Sequence, residues 1–331
     1  MVSSISGASV NPTYGWELVA FGTPAASVNK PFGFGTKIST FSVKNNLDRI
    51  YGLGSRDMQS AVTKKFDGSF SIDFIMGNAY WLRSFFGTPT DAGTGPYTHT
   101  YSTAAMDAAA TLPPSLTIDT GFNTDTKIRR RLLGCGINQI KIAMAVNETV
   151  KVSLDGLFAD EDDDTTEVTN IADTYNAAMN FAECSLQAPT STTISDVQSL
   201  TITCKSDLEY ILGFGSKIAQ QGVRKKREYD FNISANFEQI NGFLQKFHGA
   251  ASGVATGTPA PIATLLASIT NGGATTALRS LIGKWDNVYI DTHDLEGLSA
   301  DEIVKENVLG YATNLNATSH LVYTDNTAVA P

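Results

Sequence analysis

The chain has 331 residues, 42% hydrophobic and 17% charged, enough apolar material to bury a core and too little charge for a disordered chain. Its net charge of −9 is uneven: residues 1–160 hold 14 Lys and Arg against 12 Asp and Glu, and residues 161–331 hold 10 against 21. That balance disfavours wrapping phosphate, where affinity comes from Lys and Arg; no apolar run approaches the roughly 18 residues of a membrane helix, and the N-terminus has neither the basic nor the apolar region of a secretory signal.

In chain order, Phe41 and Val43 alternate with Ser42 and Lys44, which predicts a strand over 41–45. A polar loop over 46–65 follows, containing "IYGLGSR" at 50–56. A strand over 66–76 places Phe70, Ile72, Phe74 and Met76 on one face. The period then becomes helical over 78–86, with Ala79, Leu82 and Phe86 on one stripe and Gly87 as the stop. Residues 87–114, rich in Gly, Thr, Pro and Ala, read as loop. Ile140, Ile142 and Met144 mark another strand, and Val150, Val152 and Leu154 a further one. A Thr- and acid-rich junction, Asp160–Glu167, comes next.

The same series then recurs. A strand at 202–206, a loop at 207–226 containing "ILGFGSK" and a strand at 227–237 carrying Phe231, Ile233, Ala235 and Phe237 precede a helix over 239–247. Its stripe is Ile240, Phe243, Leu244 and Phe247, and residues 249–264 read as loop. Shifted by 161, residues 41–87 match residues 202–248 without a gap, with thirteen identities over 47 positions. Average residue usage predicts about three. "LLGCGINQIKIAM" at 132–144 resembles "LIGKWDNVYIDT" at 281–292 with Gly134 opposite Gly283, and "ETVKVSLDG" resembles "DEIVKENVLG". The chain reads as a tandem duplication: a first module over 1–160 with an N-terminal arm, an acidic linker over 161–170 and a second module over 171–331. Each module is mainly β (α+β), with four or more strands and one packed helix.

The chemical signatures are sparse. The GxGS element lacks the third glycine and long helix of a dinucleotide loop, and reads as a turn using glycine's freedom. The run Asp160–Asp164 lacks the spacing and central glycine of a calcium loop and reads as a solvated linker. His99, His248, His293 and His320 have no metal-ligand spacing to one another or to Cys135, Cys184 and Cys204. Three scattered cysteines suit a reduced compartment. No nucleophile elbow or HExxH is present, so neither catalytic residues, metal nor cofactor is assigned. "KIRRR" at 127–131 and "VRKKR" at 223–227 lack the interleaved aromatics of a single-strand platform, and read as edge charges or partners for a neighbouring subunit's acids.

"TYGWELVAFGTPA", "SVKNNLDRIYGLGSR", "FDGSFSIDF", "YWLRSFFG" and "RRLLGCGINQIKIAMAVNETVKVSLD" together resemble the tail tube proteins of tailed viruses of bacteria and archaea. The resemblance covers most of the chain and occurs twice. It implies a β-barrel or β-sandwich module with one packed helix, six modules closing a ring around a lumen, and rings stacking into a tube. Two modules per chain then imply a homotrimer with pseudo-sixfold symmetry. Its other partners would be tail proteins (tape measure, terminator, tip or baseplate), with DNA only in transit and no membrane. The protein would be structural rather than enzymatic, assembled in the host cytoplasm and resident in the virion tail. Phe70, Ile72, Phe74, Phe231, Ile233 and Phe237 would lie on the barrel strands. The loops would make contacts between rings and subunits through Gly52, Gly54, Ser55, Arg56, Lys64 and Lys65 in one module. In the other they would use Gly213, Gly215, Ser216, Lys217, Arg224, Lys225, Lys226 and Arg227. A tail-tip hub or completion ring would use the same module without polymerising. A carbohydrate-binding β module or adhesin would need exposed aromatic platforms, whereas most aromatics here occupy core-phase positions.

Overall fold

The computed structural model describes residues 12–53, 56–101, 113–120, 129–164, 178–188, 193–194, 196–237, 243, 247, 261–273, 278–299, 302–315 and 321–325. The first half contains β1 (Thr13–Trp16), β2 (Lys30–Pro31), β3 (Phe34–Lys44), β4 (Leu47–Tyr51), β5 (Met58–Thr63) and β6 (Asp67–Ile75). After a helical turn (Tyr80–Leu82, continuing as Arg83–Phe86) come β7 (Thr90–Ala92), β8 (Tyr97–Tyr101), β9 (Leu116–Asp119), β10 (Arg129–Ala145), β11 (Lys151–Phe158) and β12 (Asp160–Asp164). The second half contains β13 (Ser185–Gln187), β14 (Val197–Leu212), β15 (Ala219–Asn236), β16 (Ile262–Thr270), β17 (Ser280–Glu296), β18 (Lys305–Leu315) and β19 (Leu321–Asp325). The fold is mainly β, and among the described residues every antiparallel ladder except β4–β5 belongs to one connected network.

The alternation read from the letters becomes the pleat of β6. Phe70, Ile72 and Phe74 are buried while Ser69, Ser71 and Asp73 are half-buried on the other face. Phe231 and Ile233 do the same in β15, but Phe237 lies just past its end, with its amide donating to the Val304 carbonyl at 2.9 Å. The two halves share one strand order. The first runs β1–β9–β10–β11–β6–β3. The second runs β13–β16–β17–β18–β15–β14.

These ladders correct the expected match of the later strands. Ile137 pairs with Gly156 and Ile290 with Gly310, each followed at once by a register shift, so Ile137 corresponds to Ile290. Gly134 then corresponds to Asn287, not Gly283, and both have left-handed backbones, with φ of 62° and 50°. The shared letters "LLG" and "LIG" are misleading because register follows the bulge and the pleat, and a slip would turn the core face outward.

Other expectations change as well. Asp160–Asp164 is an edge strand on Arg129–Leu133, with Arg130 forked onto the Glu161 carboxylate, not a solvated linker. Residues 165–170 of the expected linker lie outside the described residues. The stretch 87–114 includes β7 and β8, and β16 begins at Ile262 inside the second expected loop. The first helical turn is buried on almost every side, including Trp81, Phe85 and Phe86. Of the second helix only Phe243 and Phe247 are described, both helical.

Among the described residues, two ladders join the halves. Gln139–Ala145 of β10 pairs with Lys205–Ser199 of β14, and β8 pairs with β19. One apolar core runs through both halves, from Tyr14 to Tyr323. Each fully buried large side chain contributes about 1.5–3 kcal/mol by leaving water. At the β8–β19 seam the buried His99 ring lies between two carboxylates, with Nδ1 2.7 Å from Asp91 and Nε2 3.1 Å from Asp325. Replacing His99 by Ala should cost about 2 kcal/mol, because the buried Asp325 carboxyl loses a hydrogen-bond partner. Urea unfolding measures this, and an unchanged midpoint would exclude a seam role for His99.

Candidate assembly surfaces

The two inter-strand loops are β-hairpins. In the first half, β4 and β5 pair, among the described residues, only with each other, and their side chains are exposed along nearly their whole length. In the second half, β14 and β15 continue past the sheet after a register shift at Ser206/Leu208, pairing Leu208 with Arg224 through Leu212 with Ala219. Tyr210 anchors the base of this arm, its hydroxyl lying 2.5 Å from the Gly134 carbonyl and 2.8 Å from that of Leu157. The arm also touches the first half near its tip, where the Phe66 amide donates to the Lys217 carbonyl at 3.1 Å.

The recurring glycines have a shared steric reason. A Cβ on Gly52 would fall 2.1 Å from the Gln59 side chain, and one on Gly213 would fall 3.0 Å from Gln220. Gln59 and Gln220 themselves coincide at the 161-residue shift. Each glycine therefore makes room for a cross-strand glutamine at the neck of its hairpin tip. Beyond the second neck, Gly215 has φ of +80°. Ser216 closes that turn: its amide donates to the Gly213 carbonyl at 3.2 Å and its hydroxyl to the Ile218 carbonyl at 2.8 Å. Gly54 and Ser55 lie outside the described residues.

The basic residues divide into three kinds. Lys64 pairs with Asp48 and Lys65 with Asp67, both at 2.7 Å; Lys225 pairs with Glu209, and Lys226 with Glu228 at 2.8 Å. These pairs are solvent-exposed and individually weak. Arg56 and Lys217 are exposed, and Arg227 is half-buried beside Tyr229. Arg224 turns into the fold, bonding the carbonyls of Ile137 at 2.5 Å and Ser84 at 2.7 Å under the Phe85 ring. Burial pulls its pKa down to about 10, leaving it charged at neutral pH. Among the described residues the hairpin ends also carry exposed apolar side chains: Leu53 and Phe214 are both fully exposed, and Ile50, Tyr51, Met58 and Ile211 are exposed as well. Sequence reading stressed the cations of these loops and passed over this feature, although "GLGS" and "GFGS" carry an apolar residue at the same place.

A second surface is the polar face of the joined sheet. Across β3, β6, β11, β10, β14 and β15, one row of paired positions reads Lys37, Asp73, Ser153, Lys141, Thr203 and Asp230. A neighbouring row reads Ser71, Asp155, Gln139, Lys205 and Glu228. Many charges on this face are answered locally. Ser153 donates to Asp73 at 2.6 Å, Gln139 to Asp155 at 3.1 Å and Lys205 to Asp230 at 2.5 Å. Against the desolvation of the Asp73 carboxyl, the hydroxyls of Ser153 and Ser39 and the Lys37 ammonium hold it below the usual carboxylate range.

Arg224→Met should lower monomer stability by about 2 kcal/mol, because two carbonyls lose charged donors. Lys225→Met should leave the denaturation midpoint essentially unchanged, because its pair with Glu209 is screened by solvent. Parallel denaturation curves separate the fold-internal arginine from its exposed neighbour.

A family model described as "Phage tail tube protein" matches residues 13–297, a span containing both hairpins and all but the end of the second half. No curated protein matches the chain. The chain belongs to the phage tail tube protein family.

Proposed function

We propose that three copies of this chain close into a ring of six β modules, the product of an internal duplication, and that the rings stack into the tail tube through which viral DNA passes. The observation carrying this reading is the strand order repeated in both halves and joined side by side through β10 and β14. A chain whose halves are already neighbours in one sheet is two-sixths of such a ring. The polar face lines the lumen in this arrangement. Its cations lie among carboxylates and hydroxyls, so it offers DNA little free positive charge to grip.

The hairpins make the contacts between rings. Leu53 and Phe214 seat in the adjoining ring, and the lysine–carboxylate pairs form a polar rim around them, as in other protein interfaces. Other tail proteins cap the two ends. Electron microscopy of the purified chain tests this reading: six-lobed rings and stacked tubes are expected, and monomers at all concentrations would refute it.

Leu53→Asp combined with Phe214→Asp should leave monomer stability within about 0.5 kcal/mol, because both side chains are solvent-exposed. The same double variant should shift long tubes to single rings or short stacks, read from tube lengths in negative stain. Tubes of normal length would remove the tips from the inter-ring contact.

A further inference from the structure

Among the strand edges that carry no ladder within the described residues, two lie at matching places of the sheet joined through β10 and β14. β3 pairs with β6 on one side only. In β17, the ladder to β16 ends at Val288, and Tyr289–Glu296 is paired on one side only, with β18. Each bare edge has a counterpart that is filled in the other half. β3 corresponds to β14 through the matched pairs Phe41↔Phe70 and Ile202↔Phe231. β17 corresponds to β10 through the shared bulge, and Leu116↔Cys135 corresponds to Ile262↔Val288. Within the chain, β10 and β14 fill one another's second edge.

We infer that the bare edge of β3 in one copy pairs with the bare edge of β17 in the next, in the register of the internal β10–β14 ladder. Gln139↔Lys205 becomes Thr292↔Lys44, and Lys141↔Thr203 becomes Asp294↔Ser42. Ile142↔Ile202 becomes Leu295↔Phe41. The chain thus carries, covalently tethered, a copy of its own intersubunit interface. This inference rests on the ring reading above and adds which strands meet and in what register.

The side chains suit this partner. Leu295 is 40% exposed although its counterpart Ile142 is only 5% exposed, and the ladder sets it opposite the half-buried Phe41. Burying that pair supplies an apolar contact that the single copy lacks. On the other face, Lys44 of one copy lies diagonal to Asp294 of the next, within reach of an ion pair. The exposed acids Asp291, Asp294 and Glu296 also keep the β17 edge from pairing with itself. The contact joins two different patches, so it propagates around a ring rather than closing a two-fold dimer.

The test is cysteine cross-linking of the full chain under oxidation. The native thiols compete poorly, since burial pushes Cys184 up to about 11 and Cys204 up to about 12, and Cys135 is wholly buried. Ser42→Cys with Asp294→Cys should give covalent dimers and trimers on non-reducing gels. Their yield should be about tenfold above that of the slipped pair Ser42→Cys with Leu295→Cys, which turns one thiol to the opposite face. A second variant, Leu295→Asp, should retain the melting temperature of the single copy and lose rings. Rings that form without the predicted cross-link, or that favour the slipped pair, overturn the register alone. A chain that never oligomerises overturns the ring and the ladder together.

Discussion

Seven in-register pairs between β10 and β14 are the constraint on which the rest of the molecule depends. They carry the hydrogen bonding of one half into the other, so that the apolar face becomes one core and the polar face one surface. Ile140, Ile142, Ile202 and Cys204 meet across this seam beneath the helical turn, where Leu82 and Phe86 close over them. A strand with an open edge must find a partner or be protected. Here each half protects one edge of the other, and the β8–β19 ladder with its buried histidine holds a second seam at a distance.

The halves have the same plan but different chemistry. Where the first has Ile140 and Val152 in the core, the second has His293 and Glu306, 3.0 Å apart with Phe247 beside the ring. Where the first has a short separate hairpin on β4 and β5, the second lengthens β14 and β15 without a break. Arg224, placed by that lengthening, reaches back to the Ser84 and Ile137 carbonyls of the first half. The second arm is therefore braced against the body by groups that the first arm does not have at the matching Ala–Val–Thr–Lys stretch, residues 61–64.

Much of this was legible in the letters because strands write their faces at period two. Phe70, Ile72 and Phe74 announced both a strand and its buried side, and the 161-residue shift matched β3 and β6 to β14 and β15. Register was not legible: Gly134 and Gly283 share letters, yet the ladders set Gly134 beside Asn287 in role, since both carry the left-handed residue of a bulged strand. β16 was missed although Leu265, Ala267 and Ile269 alternate within it. Its small and polar neighbours read as loop until the β17 ladder supplied their partners. The acidic run was read as solvated because its partners, Arg129 to Arg131, lie some 30 residues away in sequence.

The sequence by itself determined the mainly β character, the match between residues 41–87 and 202–248, the core faces of its clearest strands and the family resemblance. Those properties rest on local periodicity and on residues compared at a constant shift. Only the tertiary structure decided which strands share edges, which cations remain outward and which side chains crown the hairpins. Such outcomes depend on partners distant in the chain, and a strand's letters specify its buried face without naming the neighbour on either edge.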